Sequence, residues 1–112
     1  IDPFPGFFAY GASKAAANLL AASAAKDGSA IGVRAFAVAP GATETPMLRS
    51  AFDEKALPRD QVLDPSRVGE VIAGCVLGRH DEWNGRVIPV LSDAHRPGYA
   101  EFLRANPPIP AQ

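Results

Sequence analysis

Tyr10 and Lys14 stand four residues apart at the head of an alanine-rich run, Tyr10-Gly11-Ala12-Ser13-Lys14. On a helix this spacing brings both side chains out on one face, one turn from each other. A phenol with a pKa near 10 is a poor proton donor or acceptor at neutral pH, and an ammonium a few ångströms away favours the phenolate. Lowering such a group by two to three units takes roughly 3 to 4 kcal/mol of differential interaction, which reaches the range where general acid/base catalysis is efficient. The chemistry on offer is proton exchange with a carbinol or a carbonyl. Any tyrosine and lysine four apart on a surface helix give the same string, so the pair gains weight only from its surroundings.

The helix that would carry the pair is expected from Gly11 to Asp27, closing at Gly28. Ala12, Ala15, Ala16, Leu19, Leu20 and Ser23 form one stripe at helical spacing, while Ala17, Ala21, Ala24 and Ala25 lie on the other side. A helix small and apolar nearly all round is packed on both sides, which calls for a further sheet or a partner subunit. Residues 1–9 read as a loop because Pro3, Pro5 and Gly6 prevent a regular element. Phe4, Phe7 and Phe8 either line a pocket above Tyr10 or pack as buried aromatics.

After the helix, Ile31 to Ala39 is nearly continuously apolar, which suits a strand of a parallel sheet buried on both faces and ended by Pro40 and Gly41. The stretch from Ala42 to Leu63 is polar and irregular, with a short helix expected from Met47 to Ala56; it reads either as a lid or as a surface excursion. Asp64 as N-cap and Pro65 at the first helical position open a second long helix, with Val68, Val71, Ile72, Cys75 and Val76 as its buried stripe. Trp83-Asn84-Gly85 makes a turn, and Arg86 to Leu91 a second short strand whose Pro89 points to an edge position. From residue 93 an irregular tail is expected, with one helical turn over Tyr99 to Ala105 and an extended end at Pro107, Pro108 and Pro110.

Helix, short turn, strand and Pro-Gly loop make the rhythm of a doubly wound α/β fold, where ligands sit beyond the carboxyl ends of the strands. At 112 residues and 47% apolar, with a net charge of -1, the chain falls in the globular range of a single small domain, 1–112. No basic stripe suggests nucleic acid or an anionic membrane surface, and no apolar run is long enough to span a bilayer. With no cationic leader at the start, the expected compartment is the cytoplasm. The single cysteine, Cys75, excludes an internal disulfide; with only His80 and His95 besides, it argues against a zinc site and reads as an inert core residue. The opening Ile1-Asp2-Pro3 without a methionine reads as a chain entered partway through a domain.

Three features coincide in order and spacing: Tyr10-Gly11-Ala12-Ser13-Lys14, then Val33-Arg34-Ala35-Phe36-Ala37-Val38-Ala39-Pro40-Gly41, then Thr45-Pro46-Met47-Leu48. Together they resemble the carboxyl-terminal part of a short-chain dehydrogenase/reductase, and the resemblance runs from about Pro5 to Asp93, through Gly85-Arg86-Val87-Ile88-Pro89-Val90. It implies a partial Rossmann-like doubly wound parallel sheet. It implies Tyr10 as catalytic acid/base, with Lys14 as its activator and as a hydrogen-bond donor to the nicotinamide ribose. By the same resemblance the cofactor is NAD or NADP: Pro40-Gly41 would pass the nicotinamide, the backbone of Thr43 would meet its carboxamide, and Thr45 would bind that carboxamide. Met47 to Leu57 would correspond to the substrate-binding loop, and Ser13 would be a helix-packing or backbone-bonding residue rather than the family's catalytic serine.

The family's glycine-rich phosphate loop, its residue choosing NAD over NADP, its asparagine segment and its catalytic serine have no counterpart in these 112 residues. The sequence therefore carries half of an active site, and weak or no dinucleotide binding is expected of this chain alone. The enzymatic reading is a fragment of an NAD(P)-dependent oxidoreductase acting on a small-molecule alcohol or ketone. The resemblance also implies a homo-oligomer through the 11–27 helix. The alternative is a stand-alone, non-catalytic α/β remnant or oligomerisation module.

Overall fold

The computed structural model describes residues 5–105. They form an α/β structure of four α-helices, short 3-10 turns and a two-stranded parallel sheet. The chain divides into two compact units: one of residues up to 39 together with 70–88, the other of 40–69 together with the residues from 89 on.

In the first unit, helix α1 spans Phe8–Gly28. It starts three residues before the expected Gly11. The Pro5-Gly6 turn reaches no farther than Phe7, whose carbonyl already accepts the Gly11 N–H at 2.8 Å. At its far end a 3-10 turn, Ser29–Ile31, is closed by Gly32, and the Val33 N–H returns to the Gly28 carbonyl at 3.0 Å. Strand β1, Ala37–Pro40, is consequently shorter than the expected Ile31–Ala39 and half-buried rather than buried on both faces. Its lower end is diverted: Ala35 N–H donates to the Asn84 side chain at 2.9 Å, and regular pairing begins where Ala37 N–H meets the Arg86 carbonyl at 3.1 Å.

Its partner strand β2, Val87–Val90, alternates half-buried and buried positions, with Ile88 and Val90 inward. Pro89 stands where no donor toward β1 is needed. The turn before it depends on Gly85, whose φ of +75° admits glycine readily, and a Cβ there would stand 3.2 Å from that of Ala25. This close approach is how the buried Ala25 of α1 finds its cover. Arg34 and Asp81 form an exposed ion pair nearby.

Helix α3, Pro65–Val76, begins as expected: Ser66 N–H and hydroxyl both donate to the Asp64 carboxylate, at 2.9 and 2.8 Å. Those two bonds, opposed by partial burial and assisted by Arg59, hold the Asp64 carboxyl below its usual value. The buried stripe is narrower than expected. Gly74 and Cys75 are buried and Val68 and Val71 half-buried, but Ile72 and Val76 are exposed. Each lies about 100° around the helix from its apolar neighbour, off the covered face. Burial pushes the Cys75 thiol up, in keeping with an inert core residue.

In the second unit, Thr43 and Leu63 form an isolated parallel bridge: Glu44 N–H donates to the Leu63 carbonyl at 2.9 Å, and Leu63 N–H to the Ala42 carbonyl at 2.8 Å. Val62, Leu63 and Val90 are its buried apolar residues. Helix α2, Pro46–Ala51, ends well before the expected Ala56, because Asp53 captures the next amides. Its carboxylate accepts from Lys55 and Ala56, at 3.1 and 2.8 Å, and a turn replaces the helix. Within the tail, the single turn expected over Tyr99 to Ala105 is part of a longer, ten-residue helix, α4, Arg96–Ala105. The Ser92 carbonyl accepts from both His95 and Arg96 at 3.1 Å, and Pro97 falls in the first turn, where no N–H is required. The proline-rich end and Phe4 lie outside the described residues. Among the described residues no helix is long and apolar enough to cross a membrane.

Candidate active site

Tyr10 lies in the first turns of α1, and Lys14 one turn farther on. The structure brings the two together: the Lys14 ammonium lies over the Tyr10 ring, 5.3 Å from its centroid. An ammonium in this position interacts with the negative face of the aromatic ring. Phe7 meets Tyr10 edge-on, with centroids 5.9 Å apart and planes at 85°. Phe7 therefore supports the tyrosine, whereas Phe8 is 88% exposed and neither packs as buried core nor forms a wall. Ser13 donates its hydroxyl to the Tyr10 carbonyl at 2.7 Å, a backbone-bonding role within the helix.

The remaining predicted residues, Pro40, Gly41, Thr43 and Thr45, all belong to the second unit. Gly41 N–H donates to the Val90 carbonyl at 2.8 Å, so the Pro-Gly bend is anchored on β2. The Thr43 hydroxyl donates to the Gly41 carbonyl at 3.0 Å, which leaves its oxygen lone pairs to accept. Thr45 is the N-cap of α2, its hydroxyl oxygen accepting the Leu48 N–H at 3.1 Å while Pro46 starts the helix. That leaves the Thr45 O–H to donate. Thr43 thus keeps acceptor capacity and Thr45 a donor, on either side of Glu44. An open cleft of about 400 Å³ in the same unit, lined among others by Asp64, Arg67, Ser92 and Arg96, includes none of the predicted residues.

Sequence reasoning missed what holds this stretch. The Arg49 guanidinium grips the Glu44 carboxylate with two nitrogens, Nε lying 2.8 Å from Oε1, and its Nη1 donates to the Leu57 carbonyl at 2.8 Å. Arg59 adds a second cation, 3.6 Å from Glu44 and 3.4 Å from Asp64. The Glu44 and Arg49 side chains are about one quarter and one fifth exposed. The segment read as a lid or a surface excursion is pinned through these contacts. Opposite charges five residues apart across the start of a Thr-Pro helix were the available signal, but the spacing alone does not predict a bidentate pair.

The Arg49 hydrogen bond, opposed by partial burial and aided by the charges of Arg49 and Arg59, holds the Glu44 carboxyl below its ordinary 4.5. Because the folded value is the lower one, the stabilisation is complete above pH 4.5 and is lost as pH falls through the folded value. A carboxyl-resolved NMR titration is therefore expected to give Glu44 a midpoint below 4.5. In an Arg49→Met chain the midpoint should return toward that value.

The short chain dehydrogenase family model matches residues 1–56. Over 93 residues the chain is 37% identical to an NADPH-dependent aldehyde reductase-like protein, chloroplastic, of Arabidopsis thaliana, a match covering 77% of this chain and 34% of that protein. Over 60 residues it is 48% identical to the 2-(R)-hydroxypropyl-CoM dehydrogenase of Xanthobacter autotrophicus, covering 54% of this chain and 24% of that protein. The chain thus spans about a third or less of the length of these relatives. No solved structure matches it. The family match takes in half of the sequence, from ahead of the Tyr10 helix to beyond Thr45, and the chain belongs to the short chain dehydrogenase family.

Proposed function

We propose that the chain is the carboxyl-terminal part of an NAD(P)-dependent oxidoreductase that moves a hydride between a nicotinamide cofactor and an alcohol or ketone. The observation that carries this reading is the Lys14 ammonium held 5.3 Å from the centre of the Tyr10 ring, on a helix inside the family match. Tyr10 delivers a proton to the carbonyl oxygen during reduction and removes it from the carbinol during oxidation. Lys14 places a positive charge beside the tyrosine ring and offers a hydrogen-bond donor for the nicotinamide ribose. When bound, a nicotinamide would supply the hydride in reduction and accept it in oxidation.

The donor set of the second unit fits that cofactor. A carboxamide presents one carbonyl acceptor and one NH₂ donor, and the O–H of Thr45 with the lone pairs of Thr43 is the complementary pair. Pro40-Gly41, anchored on Val90, gives the ring a rigid neighbour without a side chain at Gly41. The relatives, named as an NADPH-dependent aldehyde reductase-like protein and a 2-(R)-hydroxypropyl-CoM dehydrogenase, lie in the same class of chemistry.

The uncovered face of α1 favours a second role for the same helix. Leu19 and Leu20 are 67% and 70% exposed, and a second copy of the protein packed there would bury them. Equilibrium sedimentation of the complete enzyme should then show an oligomer that a Leu19→Glu, Leu20→Glu variant dissociates. A sedimentation profile unchanged by the two charges would remove this role.

The main reading is tested by nicotinamide fluorescence. The isolated chain is expected to give no enhancement with NADH or NADPH, and addition of an amino-terminal complement should restore both binding and carbonyl reduction. Complemented protein that folds yet oxidises neither cofactor would overturn it.

A further inference from the structure

We infer that Arg49 is a positioning residue for nicotinamide recognition: through its two-point grip on Glu44 it fixes the backbone and hydroxyls of Thr43 and Thr45. This deepens the oxidoreductase reading and rests on it. Glu44 lies between the two threonines, so whatever fixes Glu44 fixes both neighbours. On one side, the bridge to Leu63 takes up the Glu44 N–H and the Ala42 carbonyl, at 2.9 and 2.8 Å. On the other, the Glu44 carboxylate is held by both Nε and Nη2 of Arg49.

The remaining nitrogen of Arg49 is engaged too. Nη1 donates to the Leu57 carbonyl at 2.8 Å and lies 3.4 Å from that of Phe52, so one guanidinium ties together the threonine stretch, the end of α2 and the turn beyond it. Only a planar fork with several donors can do this; an ammonium on a lysine stem engages as a point charge. Four-fifths of the Arg49 side chain is withdrawn from water, which protects the pair from competition by solvent. Thr45 has a further constraint in its capping bond from Leu48, and Thr43 in its bond to Gly41. Without the guanidinium these two bonds and the bridge remain, but the tie from Glu44 to the turn at Phe52 and Leu57 is gone. The threonine stretch is then held by its local bonds alone and shifts more freely as a unit, and the nicotinamide end of the dinucleotide must order it on binding.

The consequence is selective by ligand. A dinucleotide with its nicotinamide should lose affinity, while the same molecule without that ring should not. The test uses the complete enzyme and its Arg49→Met, Arg49→Lys and Glu44→Gln variants, each checked for native circular dichroism. For each, calorimetry gives the affinity for whichever of NADH and NADPH the wild type prefers, and for the matching ADP-ribose or 2′-phospho-ADP-ribose. Arg49→Met is expected to weaken the intact cofactor about tenfold or more and ADP-ribose less than twofold. Arg49→Lys should recover only part of the loss, and Glu44→Gln should resemble Arg49→Met in direction.

Equal losses for both ligands, or none for either, would overturn the inference while leaving the oxidoreductase reading intact. A wild type that binds neither nicotinamide cofactor would sink that reading itself, and the positioning role with it. Should Arg49→Met fail to fold, Glu44→Gln, which keeps size and shape, answers the same question.

Discussion

Tyr10→Phe in the complete enzyme is expected to lower kcat/KM for carbonyl reduction by a factor of about 10² to 10⁴, the range ascribed to a positioned general acid or base. The substitution removes one oxygen and little else. The ring remains, and with it the edge-on contact from Phe7 and the Lys14 ammonium over its face. Tyr10 is 59% exposed, and an exposed substitution that keeps its packing changes stability by no more than about 0.5 kcal/mol. A rate loss on this scale corresponds to roughly 3 to 5 kcal/mol of transition-state stabilisation and cannot be charged to unfolding. Steady-state kinetics beside a denaturation curve for each protein separates the two. A tyrosine used only for packing would leave kcat/KM within a few-fold of wild type.

The second large effect falls on stability, at the far end of the same helix. A Cβ placed on Gly28 would stand 2.4 Å from the Cβ of Val33 and within 3.0 Å of both its methyl carbons. Val33 has little room to yield, since its own N–H is bonded to the Gly28 carbonyl at 3.0 Å. Gly28→Ala is therefore expected to destabilise the 112-residue chain by about 1 to 3 kcal/mol, read from the urea midpoint at constant slope. Helix propensity acts in the opposite direction, favouring alanine over glycine by up to about 1 kcal/mol inside a helix. Here the contact should win because the atoms in conflict are β-carbons, fixed by the backbone. Val33→Ala keeps the Cβ and should not rescue the variant; Val33→Gly removes it and should recover much of the loss. A stable Gly28→Ala chain would mean that the turn after α1 is not fixed as described.

Much of this arrangement was legible because local chemistry decided it. Asp64-Pro65 announced α3, and the Pro40-Gly41 break marked the end of β1 to within a residue. The Tyr10 and Lys14 spacing gave their common face because 3.6 residues per turn leaves no other choice. The misses arose where a distant or unexpected acceptor took over a backbone group. Nothing in Ile31 to Phe36 says that Asn84 will accept the Ala35 N–H or that Val33 will bond back to Gly28, and the strand lost its first six residues to these contacts. The Asp53 carboxylate shortened α2 in the same way.

In α3, composition overstated the buried face. Ile72 and Val76 are as apolar as their neighbours, yet they point away from the covered side. Thr43 and Thr45 could be picked out through the resemblance to the family's Pro-Gly-x-x-x-Thr pattern, but the bonds their hydroxyls make to Gly41 and Leu48 needed the structure. The opposite charges of Glu44 and Arg49 were visible but their two-point grip was not, since a bidentate pair depends on how the turn after α2 folds back.

The central claim is that the Tyr10 hydroxyl carries the proton in a nicotinamide-dependent reduction. Its most direct test is a single-turnover reaction, with excess complete enzyme, reduced cofactor and a carbonyl substrate mixed rapidly and the loss of nicotinamide absorbance followed for wild type and Tyr10→Phe. A hydride-transfer rate at least a hundredfold slower is expected in the variant, with cofactor affinity unchanged. Equal single-turnover rates in the two proteins would contradict it.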